Sequence, residues 1–115
     1  MAILKVGMSV MLTIKDITGK EGIFIPIPQE GEDLTFGQKS VGYRFNPSGN
    51  TDVDAAKLLC AALIDLNEHE HAKRLSKLKT ETARLSWTVN VFRTNVFNKL
   101  IDAQMAIVKF LTWND

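Results

Sequence analysis

All seven glycines and three prolines of the chain fall between Gly7 and Gly49; from Asn50 to Asp115 there is none. These two residue types punctuate turns and break helices, so the second half is free to be continuous helix while the first half must bend often. Apolar spacing agrees with that division. Val53, Ala56, Cys60 and Leu63 recur at helical steps, with Leu59 and Leu66 beside them. Val89, Phe92, Val96, Leu100, Ala103, Ile107 and Phe110 do the same further on. One helix from Thr51 to Trp113 would be about 90 Å long at ~1.5 Å per residue, too long for a domain of 115 residues, so the chain must turn back on itself. Asn67–His71 and Lys79–Thr82 both carry cap-forming residues at which it can turn, and the second gives helices of similar length. Either way an antiparallel αα-hairpin is expected. Its start is marked by Thr51 and Asp54 at capping-box spacing, with Asp52 and Asp54 placed against the positive end of the helix dipole.

The first half alternates as strands do. Val10, Leu12 and Ile14 share one face of Ser9–Lys15, Asp16 to Gly22 has turn chemistry, and Ile23–Ile25 resumes the strand before Pro26 and Pro28 remove ladder donors. A third strand is expected at Leu34–Phe36 or at Val41–Phe45. The expected fold is therefore α+β: a small antiparallel sheet within about residues 1–45, then a helical hairpin. Residues 1–40 form a β-rich extension and 41–115 the hairpin domain. Phe97, Ile101, Met105 and Val108 widen the apolar face of the last helix beyond what a two-helix hairpin and a thin sheet cover, which points to a homo-oligomer.

Little in the chain suggests catalysis. Cys60 is the sole cysteine and sits in an apolar run, as a buried hydrophobe does. His69 and His71 lie two apart, not at the four-residue spacing of helical zinc ligands. Gly19-Lys20-Glu21-Gly22 lacks the spacing of either common phosphate-loop fingerprint. A net charge of +1 offers little field for a long nucleic acid, although Lys73, Arg74, Lys77 and Lys79 cluster locally. No apolar run approaches the ~20 residues of a membrane span, and the N-terminus lacks signal-peptide organisation, so a cytoplasmic location is expected. What remains is a binder's inventory that requires no cofactor and no metal. Tyr43 and Arg44 combine a stacking ring with a phosphate-binding fork, and Lys57 adds a point charge one turn into the first helix. On the last helix Asn90, Thr94, Asn98 and Asp102 form a polar stripe beside Arg93 and Lys99, which is either the solvent face or one wall of a groove between subunits.

The stretch from Val41 to Lys57, which includes Tyr43-Arg44-Phe45-Asn46-Pro47-Ser48-Gly49, resembles the helical-hairpin family of phage immune-evasion proteins. So do Leu63-Ile64-Asp65-Leu66 and the ending Ala103 to Trp113, in which Met105 is followed four residues later by Lys109. That family includes the anti-CBASS cyclic-oligonucleotide sponge and the hairpin portion of the anti-Thoeris sponge; a β-rich extension is reminiscent of the latter branch. The resemblance implies a compact oligomer, typically a hexamer, that is not an enzyme. It would sequester cyclic di- or trinucleotides, or cyclic ADP-ribose variants, in the cytoplasm of an infected bacterium. It also implies that Tyr43 is the base-stacking ring accompanied by Arg44, and that Lys57 is the phosphate contact. Asn98 falls where the family has a threonine and Asp102 near a Gln or Glu; a second register makes Arg93 and Thr94 the matching pair. A ligand-free oligomeric adaptor built on the same hairpin is the alternative.

Overall fold

The computed structural model describes residues 2–6, 9–78 and 83–114. Three strands, β1 (Ala2–Val6), β2 (Ser9–Lys15) and β3 (Glu21–Pro26), form an antiparallel sheet in the order β1-β2-β3. A short helix α1 (Phe36–Ser40) follows, then the long helices α2 (Thr51–Ser76) and α3 (Ala83–Leu111). This is the α+β architecture expected. Among the described residues no helix is long and apolar enough to cross a membrane.

The β2–β3 hairpin closes through Asp16. Its carboxylate accepts hydrogen bonds from the Thr18 amide (2.8 Å), the Thr18 hydroxyl (2.6 Å) and the Lys20 amide (3.1 Å), while Gly19 supplies the left-handed residue at φ +87°. These donors hold the Asp16 carboxyl below its ordinary range. In the register of the two strands Leu12 faces Ile25, and both are buried against Ala55 and Leu58 of α2, with Ile14, Ile27 and Tyr43 at the margin. Sheet and hairpin thus share a core cluster, which is how so thin a sheet hides its apolar face.

The third strand is not where the sequence suggested. It is β1, and neither Leu34–Phe36 nor Val41–Phe45 forms a strand. Local polar chemistry decides this. Thr35 and Gln38 form a capping box that starts α1, with the Gln38 amide bonding the Thr35 hydroxyl and the Thr35 amide bonding the Gln38 side chain. Gly42 at φ +63° then turns the chain, with the Tyr43 amide donating back to the Gln38 carbonyl. Gly37 admits α1 to the surface of α2. Its amide donates to Asp65 Oδ1 at 2.6 Å, and a Cβ there would collide with the Ala61 carbonyl.

The start of α2 is corrected by one residue. Asn50 is the N-cap, its side chain accepting from the Asp52 amide at 2.8 Å, so Thr51 is already helical. Asp54 accepts instead from Asn46 Nδ2 at 3.0 Å. Asn67–His71 is not a turn: α2 runs through it, with Asn67 donating to the Arg93 carbonyl and His71 Nε2 lying 2.6 Å from Asn90 Oδ1 of α3. The other candidate, Lys79–Thr82, lies outside the described residues, between the end of α2 and the start of α3.

The buried faces of both helices are offset from the apolar stripes read in sequence. On α2 the core residues are Val53, Ala55, Ala56, Leu58, Cys60, Ala61 and Ile64, whereas Leu59, Leu63 and Leu66 are exposed. On α3, Phe97, Leu100 and Ile101 pack against Val41, Cys60, Ala61 and Ile64, while Phe92, Val96, Ile107 and Phe110 are exposed, the first three of these beside grooves against α2. The inward face of α3 includes Arg93 and Gln104, and those two polar residues are what displaced the apolar pattern.

Candidate ligand-binding cleft

The segment Phe45-Asn46-Pro47-Ser48-Gly49-Asn50 is held in one shape by its own side chains. Asn46 Nδ2 donates to the Asn50 carbonyl at 2.9 Å as well as to Asp54, and the Ser48 hydroxyl donates to Asn46 Oδ1 at 2.6 Å. The Asn50 amide donates to the Ser48 hydroxyl, and Gly49 takes φ +66° to complete the turn. Asn50 Nδ2 reaches the Leu111 carbonyl at 3.4 Å and so ties the turn to the end of α3. Between the turn, the first two turns of α2 and the last turns of α3 lies an open cleft of about 480 Å³. That size falls within the roughly 300–1,000 Å³ of small-molecule sites.

Four side chains give the cleft its chemistry. Phe45 stands 73% exposed at its edge. Lys57 rises from α2 beneath the turn; it is buried, donates from Nζ to the Gly42 carbonyl at 3.0 Å and to the Phe45 carbonyl, and lies 5.9 Å from the centre of the Phe45 ring. Two of its three donors are thereby used. Lys109 brings a second cation from α3, and it is exposed. Gln104 also lines the cleft, at only 7% exposure, yet its carboxamide has no hydrogen bond among the described residues. A buried polar group left in that condition costs about 1–3 kcal/mol.

The residues expected to bind are not gathered in one place. Lys57 is in the cleft, but Tyr43 and Arg44 are not among its walls. The Tyr43 ring is half-buried and bridges the two core clusters, touching the group around Leu12 and Leu58 and the group around Val41 and Ile64. Burial, with the charge of Asp54 adding to it, pushes its phenol above the ordinary value, against the opposing effect of Arg44. Arg44 Nη2 donates to the carbonyls of Glu32 (2.7 Å) and Gln29 (3.2 Å), pinning the polar loop between β3 and α1. Within a single chain, both are structural.

Arg93 is spent as well. Its Nε lies 2.5 Å from Glu68 Oε1, and its guanidinium sits 5.8 Å from the Phe36 ring centre and 5.3 Å from that of Phe97. Thr94 and Asn98 lie on the outer side of α3, in a shallow depression with Trp87, and Asp102 is exposed further along. On the isolated chain Thr94, Asn98 and Asp102 face solvent, while Asn90 at the start of the stripe is bonded to His71 of α2. Among the described residues no three His, Cys, Asp or Glu converge as metal ligands would.

Phe45, Gln104 and Lys109 were not singled out as contacts by sequence reasoning. Two signals pointed to them: a ring placed directly before a four-residue turn, and a lone amide on an otherwise apolar helix face. Comparison with protein-family models, curated proteins and solved structures gives no match.

Proposed function

We propose that this protein captures a cyclic nucleotide second messenger without cleaving it, as a homo-oligomeric sponge that blunts host defence signalling in an infected bacterium. The observation that carries this reading is the cleft, where an exposed ring, two ammonium groups and an unpartnered buried carboxamide converge. Each matches a part of such a ligand. A nucleobase stacks on Phe45, at about 1–3 kcal/mol per base. Lys109 and the remaining donor of Lys57 face the phosphates. The cleft is lined by no carboxylate and no imidazole, so nothing in its walls would activate water against a phosphodiester. Capture without turnover is what those groups can do.

The turn and the end of α3, which build the cleft, are also the two segments that resemble the phage hairpin family. Oligomerisation fits the same reading, because the cleft is open on one side and a neighbouring chain would close it. Tyr43 and Arg44 then serve the ligand indirectly, by fixing the turn that presents Phe45. Thr94, Asn98 and Asp102 reach ligand only across a subunit boundary.

Calorimetric titration against cyclic di- and trinucleotides and cyclic ADP-ribose variants tests the proposal. Binding tighter than about 10 μM that is lost in Phe45→Ala supports it, and no binding across the panel refutes it. A second reading is favoured by the exposed apolar residues of α3, Trp87 and Val91 on one side of the helix and Phe92 and Val96 on another, beside a groove against α2. It makes the chain a ligand-free assembling adaptor, in which Phe45→Ala leaves every activity intact and Phe92→Asp abolishes it.

A further inference from the structure

Gln104 has no structural reason to be polar. It sits on the packed face of α3, more than nine-tenths buried, at a position where the neighbours on that face are Leu100, Ile101 and Val108. Its carboxamide lines the cleft and is bonded to nothing among the described residues. A buried donor–acceptor pair facing an open cavity is poised for something that enters the cavity.

Resting on the cleft assignment above, we infer that Gln104 reads the base of the captured nucleotide. A carboxamide presents a donor and an acceptor side by side, whichever way it is flipped. It therefore pairs with a base edge that carries an acceptor next to a donor; adenine, with its exocyclic amine between two ring nitrogens, offers that pair on both of its edges, whereas guanine offers it on one. The surroundings suit this role. Phe45 supplies a stacking surface, which binds any base and cannot discriminate between them. Lys57 and Lys109 attract phosphate, which every nucleotide has. Choice among bases falls to the one neutral hydrogen-bonding side chain that is buried in the cleft wall.

The probes are cyclic di-AMP, cyclic di-GMP and an analogue of cyclic di-AMP whose purines lack the exocyclic amine, titrated into the full chain. The wild type should bind cyclic di-AMP about tenfold to hundredfold more tightly than the analogue, the range of one paired contact. In Gln104→Leu that difference should vanish, with both ligands still held by Phe45 and the lysines. In Gln104→Glu, which can only accept, preference should move toward cyclic di-GMP, whose base offers two adjacent donors. Gln104→Leu should also raise the thermal midpoint of the free protein, because it removes an unpaired buried amide. If leucine packs badly, Gln104→Met repeats both measurements with a closer shape.

Discrimination that survives in Gln104→Leu or Gln104→Met overturns the inference. So does a thermal midpoint lowered in both variants, which would show that the amide is bonded within the protein. A wild type that binds none of the three probes fails at an earlier point. It removes the cleft assignment itself, and is told apart because the loss appears without any substitution.

Discussion

α2 and α3 are neighbours of similar length, yet they stand in opposite conditions. The first half of α2 is covered on several sides, by the sheet, by α1 and by α3, and eight of its positions from Val53 to Ile64 are buried. α3 packs along one face, mainly against α2 and at Arg93 and Phe97 against Phe36 of α1, and leaves Trp87, Phe92, Ile107 and Phe110 exposed. Small residues make the first condition possible: Ala55, Ala56 and Ala61 let other elements close in, and Gly37 brings α1 into contact with the Ala61 backbone. Large residues on α3 make the second. One helix has found its partners within the chain, and the other carries surface suited to partners outside it.

The sharpest break of that contrast is a charge at Ile64, which is 0% exposed between Val41, Cys60 and Ala61. Ile64→Asp should abolish folding, at a cost of more than about 4 kcal/mol, because an unpaired carboxylate would replace a close-packed side chain. Loss of helical circular dichroism at room temperature checks it. The same substitution on the outer face of α3 should leave that signal intact.

Next in size is the exchange of roles between two rings. Tyr43→Ala should cost about 2–4 kcal/mol of stability, since it opens a gap between both core clusters. Phe45→Ala should shift stability by no more than about 0.5 kcal/mol but remove about 1–3 kcal/mol of ligand affinity. Chemical denaturation and calorimetry on both variants separate the effects. Equal loss of affinity at unchanged stability for Tyr43→Ala would return the stacking role to that ring.

These two residues also show how far the sequence could be read. Strand β2, its turn and the helical half were legible because alternation, turn residues and the absence of glycine and proline are local signals. Position β1 was not, since which segment pairs with β2 depends on tertiary contact. The turn at 41–45 was misread as a strand because the capping of α1 by Thr35 and Gln38 outweighs the β-propensity of Val41, Tyr43 and Phe45. Lys57 is visible as a cation beside a turn, and the ring that stands over it is Phe45, two residues after the Tyr43 that sequence reading favours. Side-chain alternation cannot be used to orient residues in a turn, so Tyr43 and Phe45 were indistinguishable until the backbone was known. Gln104 carries a signal, a lone amide on an apolar face, but pattern reading treats a polar residue as outward-facing, and here it faces in.

A smaller effect on the chain itself is expected from Phe92→Asp. Phe92 is 65% exposed, so its replacement should alter the stability of one chain by about 0.5 kcal/mol or less. Its consequence is for assembly. Sedimentation should show the wild type well above the 12.9 kDa of a single chain and the variant near it. A wild type that sediments as a monomer at micromolar concentration would remove the contrast between the helices as a guide to function.

The finest test uses the thiol of Cys60, on the covered side of α2. Burial pushes its ionisation above the ordinary thiol value, because a thiolate would be stranded among Val41, Ala61 and Ile64. Two consequences follow with fixed sign. Alkylation should be slow in the folded protein at neutral pH and rise to the rate of an ordinary cysteine on unfolding, since the thiolate is the reacting form. The folded state favours the neutral thiol, so this contribution to stability is fully present below the unfolded value and is lost as pH rises through the folded one. Cys60→Ala should therefore flatten the alkaline side of the stability profile while leaving the acid side unchanged. Were the native thiol to react at the unfolded rate at pH 7, α2 would be opening toward solvent as readily as the outer face of α3, and the difference between the two helices would be one of static packing alone.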